Sequence, residues 1–245
     1  MNTRNAVILA AGYGSRLNPT EGHKLLATIG SRPLLEHHLA NFAALKVDRV
    51  VVVTGYEAAD LREAVHRFDP PGSMTVQCVR NDDFDAGNGI SVLTGADALG
   101  DPPPPFWLTM SDHLFEPGLF DGLNARIGAV IDERTEGVLL IDRKLDRIFD
   151  MPDANKLRLD GEFAIGKQLD DFDAVDIGLF WCGPGFVEAL RREKNARGDC
   201  STSDAVRRLV KAGRFAFFDV GEALWQDVDT PEAREYAEKL WERWS

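Results

Sequence analysis

Cysteine is scarce in these 245 residues. Cys78, Cys182 and Cys200 are widely spaced, odd in number and without a C-x-x-C pair, which argues against a disulfide framework and a zinc site. Long apolar runs are missing as well. Stretches such as Ala6 to Ala11 and Val50 to Val53 fall far short of the ~20 residues that cross a bilayer, and the start of the chain has no signal-peptide core. No direct membrane span and a cytoplasmic location are therefore expected. Positive charge is in deficit: 28 Lys and Arg stand against 40 Asp and Glu, a net charge of −12. Such a surface repels polyanions, so nucleic acid is not an expected partner. No internal repeat is detectable. Two phosphate-binding fingerprints are absent too: Leu17 occupies the third glycine of a would-be G-x-G-x-x-G, and no G-x-x-x-x-G-K-[ST] occurs. Neither a dinucleotide fold nor a P-loop is supported.

What is present is an ordinary globular composition, 44% apolar and 28% charged, which excludes disorder as the dominant state. Apolar runs alternate with stretches of helical period, the pattern of a sheet covered by helices on both faces. Asn5 to Ala10, Arg49 to Thr54 and Phe106 to Met110 are continuously apolar, as central parallel strands are, and Thr75 to Arg80 alternates like a strand nearer an edge. Helices are predicted over Pro33 to Ala44, Ala58 to Phe68 and Ile90 to Leu99, with Pro33 in a first turn. From Glu136 the strands shorten: Gly137 to Asp142, Arg147 to Met151, Asn155 to Leu159, Phe163 to Ile165 and Val175 to Cys182 read as an antiparallel elaboration. Helices return at Gly185 to Lys194, Ser203 to Ala212 and Pro231 to Trp244, around a strand at Phe215 to Val220. The expectation is one domain over 1–245, in two halves, 1–135 and 136–245, the second including the C-terminal helix. The stripe Tyr236, Leu240, Trp241 and Trp244 reads first as core packing; a homodimer face is the alternative.

Chemistry concentrates in a few places. Leu9-Ala10-Ala11-Gly12-Tyr13-Gly14-Ser15-Arg16-Leu17 directly follows the first buried strand, and Lys24 follows it. Gly12 and Gly14 can take positive φ and let backbone N–H groups approach an anion, while Arg16 and Lys24 supply the charge a triphosphate requires. The bland alternative is a glycine turn. Asp112 follows the third strand, where ligands of open α/β sheets bind, and suits Mg²⁺, which needs one or two carboxylates plus substrate phosphates. His113 reads equally as a structural histidine or as one touching substrate, and stays outside the catalytic set. Asp227-Val228-Asp229-Thr230-Pro231 opens the last helix, with Thr230 as N-cap and Pro231 at N1. Gly87-Asn88-Gly89-Ile90-Ser91 precedes a helix; its amide and hydroxyl could read a base edge, or simply form a capping turn. Lys167 is either a phosphate clamp or a solvated lysine, and Asp176 with Gly178 lies in the longest strand of the second half.

Taken together these residues resemble the nucleotidyltransferases that join a nucleoside triphosphate to a phosphorylated sugar or alcohol, and within them the CTP:inositol-1-phosphate cytidylyltransferases. The glycine loop with Arg16 and Lys24 carries the wider likeness. The narrower one rests on Gly87-Asn88-Gly89-Ile90-Ser91-Val92-Leu93, Met110-Ser111-Asp112-His113, Ile165-Gly166-Lys167-Gln168-Leu169, Phe172-Asp173-Ala174-Val175-Asp176-Ile177-Gly178 and Leu224-Trp225-Gln226-Asp227-Val228-Asp229-Thr230. The resemblance implies an α/β, three-layer α/β/α Rossmann-like nucleotidyltransferase fold, with a mixed, mostly parallel sheet and a small antiparallel elaboration. It implies a nucleotide-binding half, 1–135, and an acceptor-binding half, 136–245, with CTP held by Leu9, Ala10, Ala11, Gly12, Gly14 and Ser15, the cytosine met by Asn88, Gly89 and Ser91, and catalysis by Arg16, Lys24 and Lys167. Asp112 and Asp229 match metal-binding carboxylates for Mg²⁺; Asp176 with Gly178 falls where acceptor hydroxyls are held. Asp227 is a weaker candidate. The chain departs from the family where His23 and Leu25 flank Lys24 in place of prolines.

The implied reaction is Mg²⁺-dependent cytidylyl transfer from CTP to a phosphorylated alcohol, inositol 1-phosphate first. The alternatives are phosphocholine, an alditol phosphate, a phosphonate or a sugar 1-phosphate as acceptor, another nucleoside triphosphate as donor, or a silent nucleotide-binding regulatory subunit. Related enzymes are sometimes fused to a membrane-embedded CDP-alcohol phosphatidyltransferase, so any such downstream partner is expected to be a separate protein here.

Overall fold

A computed structural model describes residues 3–12, 23–56 and 58–244. In chain order, β1 (Asn5–Ala10) leads through the short pair β2 (Thr28–Ile29) and β3 (Arg32–Pro33) into α1 (Leu34–Ala44). β4 (Arg49–Thr54), α2 (Ala58–Arg67), β5 (Thr75–Arg80), α3 (Asn88–Leu99), β6 (Phe106–Met110), β7 (His113–Phe115) and α4 (Leu123–Gly128) complete the first half. The second half runs β8 (Gly137–Asp142), β9 (Lys156–Arg158), β10 (Ala164–Gly166), β11 (Ala174–Cys182), α5 (Pro184–Arg197), α6 (Thr202–Lys211), β12 (Phe215–Asp219), β13 (Trp225–Asp227) and α7 (Pro231–Trp244).

β5, β4, β1 and β6 lie side by side in parallel, with Ala6 opposite Val50 and Trp107 on either side of it. Thr75 to Arg80 is indeed the edge of this path. β11 runs antiparallel to β6 and carries the second half of the sheet, pairing with both β8 and β9; β12 then joins β8 in parallel and β10 joins β9 antiparallel. Alternation along the strands explains the layers. Ala6, Ile8, Val50 and Val52 face a core shared with α1, α2, α4 and α7, whereas Val7, Leu9, Val51 and Val53 face one shared with α3, α5 and α6. A strand buried on both faces has to be apolar at every position, which is why Val50 to Val53 are each wholly buried and contribute about 1.5–3 kcal/mol apiece. The three-layer α/β/α architecture is thus the one expected.

Three local readings are corrected. Arg147 to Met151 is not a strand but a 3₁₀ turn at Leu145–Arg147 followed by turns. Ile148 and Phe149 are adjacent, so a strand would point them to opposite faces, and Asp146, Asp150 and Pro152 bracket them. Pro33 is the N-cap of α1, extended at φ −65° and ψ 151°, and not in its first turn. α3 begins at Asn88, so Asn88 to Ser91 form its first turn instead of preceding it. In α7, Thr230 Oγ1 accepts from Ala233 N at 3.1 Å, the capping bond expected of that sequence. Its aromatic stripe packs within the chain: Leu240 is buried, Trp241 and Trp244 lie on the first core, Trp241 meets His37 edge-on at 4.3 Å, and Tyr236 stacks on Phe149 at 5.0 Å. Among the described residues no helix is long and apolar enough to cross a membrane.

Candidate active site

A cavity of about 610 Å³ opens at the carboxyl ends of β1 and β6 and is lined by residues of both halves. This is where an open α/β sheet binds ligands, because the loops leaving parallel strands diverge there. The first half contributes Leu9, Ala11, Gly12, Lys24, Asn88, Ser91 and Asp112; the second contributes Lys167, Asp176, Gly178 and Asp229. Ala10 and Gly89 are not on the wall. Gly14, Ser15 and Arg16 lie outside the described residues.

Asp112 and Asp229, far apart in sequence, reach one cavity through a small ladder. β7 and β13 pair antiparallel with His113 opposite Asp227 and Phe115 opposite Trp225. Beyond the ladder, Val228 N donates to Asp112 O at 2.6 Å, which draws Asp229 to the turn after β6. Lys24 Nζ donates to Asp112 Oδ2 at 3.0 Å and His113 Nδ1 to Asp112 Oδ1 at 2.9 Å. Burial pushes the Asp112 carboxyl up, but the His113 hydrogen bond and the charges of His113 and Lys24 outweigh it and hold Asp112 well below the usual carboxylate range. Burial disfavours the His113 cation, yet Asp112, Asp227 and Asp176 more than compensate and raise its pKa. Each of the two groups therefore favours the charged form of the other. Asp227 moves the other way: burial, opposed by His113, together with repulsion from Asp229 and Asp112, pushes its carboxyl up to about 6.

Lys24 is steered by its neighbour. His23 Nε2 donates to Ala10 O at 2.8 Å while its Nδ1 accepts from Leu25 N at 3.1 Å, so both ring nitrogens tie the residue before the lysine to the end of β1. Gly12, by contrast, does not take positive φ, and among the described residues a side chain there would meet nothing within 4 Å; it lies on the cavity wall.

In the second half, β11 is irregular between Asp176 and Phe180, and Gly178 adopts φ +70°. The bulge turns Asp176 toward the cavity. Its Oδ1 accepts from Gly178 N at 2.7 Å and its Oδ2 from Asn155 Nδ2 at 3.1 Å, and burial raises its pKa despite these bonds. Gly178 is also required sterically: a Cβ there would stand 2.7 Å from His113 Nε2. Lys167 Nζ donates to Asp153 Oδ1 at 2.6 Å and is half exposed.

The segment 87–91 is engaged more deeply than its polarity suggests. Asn88 Oδ1 accepts from Thr202 N at 2.9 Å and its Nδ2 donates to Thr202 Oγ1 at 3.2 Å, tying the first turn of α3 to that of α6. Ser91 Oγ accepts from Asn81 Nδ2 at 3.0 Å. Gly89 N donates to Cys200 O, and a Cβ on Gly89 would lie 2.7 Å from that oxygen, so the close approach of the α5–α6 connection accounts for this glycine. Asn155, Asp153 and Trp225 also line the cavity. Sequence reasoning gave Asp153 and Asn155 no role, whereas Trp225 stood in the Leu224-Trp225-Gln226-Asp227 run that carries the resemblance.

Comparison with known proteins agrees with this architecture. Residues 6–141 match the MobA-like NTP transferase domain family. A "Bifunctional IPC transferase and DIPP synthase" of Rubrobacter xylanophilus is 31% identical over 98% of this chain and 52% of its own length. A "CMP-5'-(3-aminopropyl)phosphonate synthase" of Streptomyces rubellomurinus is 29% identical over 92% of this chain and 37% of its own. The chain thus spans about half, or less, of the curated relatives it matches. The solved inositol-1-phosphate CTP transferase from T. maritima superposes with a TM-score of 0.79 at 24% identity, covering 100% of this chain and 99% of that one, which shows the shared fold. With more than half of its length matched, and with the nucleotidyltransferase architecture, this chain belongs to the MobA-like NTP transferase family.

Proposed function

We propose that this nucleotidyltransferase moves a cytidylyl group from CTP to a phosphorylated alcohol, inositol 1-phosphate in the first place, releasing pyrophosphate and a CDP-alcohol. The observation that carries the reading is the meeting of Asp112, Asp229 and Lys24 with Asp176 and Lys167 in one cavity. The first three are carboxylates and a cation suited to polyphosphate. Asp176 with Asn155 pairs a carboxylate with an amide, suited to a polyhydroxylated acceptor. The relative named as an IPC transferase and the fold neighbour named as an inositol-1-phosphate CTP transferase support the same assignment.

The acceptor's phosphate oxygen attacks the α-phosphorus in line, forming the new P–O bond as the bond to pyrophosphate breaks. The phosphate monoester is already anionic at neutral pH, so no protein nucleophile is needed, and positioning with charge neutralisation supplies the catalysis. Lys24, Lys167 and, on its motif, Arg16 offset the phosphates. Lys167 exchanges its bond to Asp153 for one to substrate.

The donor set fits Mg²⁺. Asp112 is held ionised, Asp229 is a buried carboxylate in the same cavity, and a hard cation that keeps water and substrate phosphate as ligands needs no more than these two. Among the described residues no cluster of three or more His, Cys, Asp or Glu could hold a metal unaided. Bound there, Mg²⁺ supplies charge neutralisation at the phosphates.

The test is pyrophosphate release with CTP, GTP, ATP and UTP against inositol 1-phosphate, phosphocholine, an alditol phosphate, glucose 1-phosphate and an aminoalkylphosphonate. CTP with inositol 1-phosphate is expected to give the highest kcat/KM. Preference for the phosphonate, the class of compound in the name of the Streptomyces relative, would establish the second reading, and silence on every pair the regulatory one. Asp112→Ala is expected to cost about 10²–10³ in kcat.

A further inference from the structure

His113 stands beside Asp112, yet the reaction as described gives it no task. Its surroundings are specific. The ring lies parallel to the Trp225 indole, centroids 5.5 Å apart and planes 4° from parallel, and its Nε2 edge abuts the bare α-carbon of Gly178. Nδ1 is thereby aimed at Asp112 Oδ1, 2.9 Å away. Trp225 is itself held from behind. Its indole Nε1 donates to Asp142 Oδ2 at 3.0 Å, and Asp142 is a buried carboxylate at the end of β8 that is not on the cavity wall. The other oxygen, Oδ1, accepts from Lys144 N at 2.7 Å and Lys144 Nζ at 2.8 Å, and the same ammonium donates to Gly221 O.

Burying a carboxylate is costly unless its partners are fixed. Here both oxygens of Asp142 are committed, one to the lysine and one to the tryptophan, so the pair forms a rigid bracket for the indole. Beyond the indole come the imidazole, the Asp112 carboxylate and the Lys24 ammonium in unbroken contact. Groups behind a reacting site that hold its ligands in one orientation commonly matter to rate as much as the ligands do.

We propose that Trp225, bracketed by the buried Asp142–Lys144 pair, is a positioning residue that sets the His113 ring and through it the orientation of the Asp112 carboxylate. The inference rests on the proposed role of Asp112. Trp225→Phe keeps a ring to stack but loses the N–H, and Asp142→Asn leaves one acceptor oxygen to serve three donors, Lys144 N, Lys144 Nζ and Trp225 Nε1. Each is assayed with CTP and inositol 1-phosphate, alone and with His113→Ala, and the histidine ring signals are recorded by proton and nitrogen NMR on protein free of metal and nucleotide.

Expected is a kcat lowered roughly 10- to 100-fold with both KM values within about twofold. Trp225→Phe should add no further loss in a His113→Ala background, and the His113 Nδ1–H signal should broaden or shift. Wild-type kcat in both variants with that signal unmoved, or losses that multiply with His113→Ala, would overturn the proposal. Should Trp225→Phe fail to fold, Asp142→Asn and the NMR signal decide alone. Asp112→Asn separates the two levels: if it turns over normally, both the site reading and this role fall; if it is inactive while Trp225→Phe and Asp142→Asn are normal, only the positioning role does.

Discussion

A histidine's protonation in this fold depends on where the chain puts it. His38 and His113 lie a few ångströms of backbone apart, since His38 Nε2 donates to Ser111 O at 3.4 Å, one residue before Asp112. His113 meets carboxylates and its pKa rises. His38, deeply buried, meets a carbonyl, and burial drives its pKa from the ordinary 6.5 to about 3. In the unfolded chain His38 takes up a proton below 6.5 and in the folded chain only near 3, so folding stability is present above that window and is lost as pH falls through it. We expect His38→Gln to flatten the decline, lowering the stability difference between pH 7 and pH 5 by about 1–2 kcal/mol in urea unfolding. Asp227 works in the opposite sense: with its carboxyl raised to about 6, it favours folding at low pH and loses that contribution as pH rises toward 6. Only the comparison of variant with wild type therefore isolates His38; an unchanged slope would mean that the imidazole is protonated within the fold.

At the scale of elements, legibility tracked length and burial. β1, β4, β5, β6 and β8 fall on the residues predicted, because a strand buried on both faces, or alternating cleanly at an edge, imprints itself on every position. β7 and β13, three residues each, leave no such imprint, although their ladder is what joins Asp112 to Asp229. The two carboxylates were legible through resemblance and local turn chemistry, whereas the Asp153 partner of Lys167 and the Asn155 partner of Asp176 depend on pairings across the second half that no local pattern encodes. Asn88 shows the same limit. Its polarity suggested a base reader, while its amide joins α3 to α6 through Thr202. Removing it strands the Thr202 N–H at the start of α6, so Asn88→Ala should cost about 1–3 kcal/mol of stability. Asn88→Asp, which keeps an acceptor for that N–H, should cost less. Equal losses in chemical denaturation would show that the bridge does not hold the two helices.

For the whole molecule, the two halves suggested by the sequence share everything that matters for cooperativity. Each core draws residues from both: Ile8 and Trp107 pack in one cluster with Ile177 and Ala237, and Val7 and Leu108 in the other with Phe180 and Leu190. β6 needs β11 as its outer neighbour, Trp181 Nε1 donates to Thr3 Oγ1 at 2.9 Å, and Gly30 N donates to Glu238 Oε2 at 2.9 Å. Cutting between the halves would expose one edge of β6 and strip both faces of the central sheet of part of their cover. An apolar strand in that state is a template for aggregation, not a stable edge. We therefore propose that 1–245 unfolds as one cooperative domain, with coincident transitions by circular dichroism and tryptophan fluorescence. A fragment of residues 1–135 should show no cooperative transition and should aggregate. A soluble fragment with its own sigmoidal melt would establish the nucleotide-binding half as an independent domain, and the cavity, whose walls come from both halves, would then be an interface between two folding units.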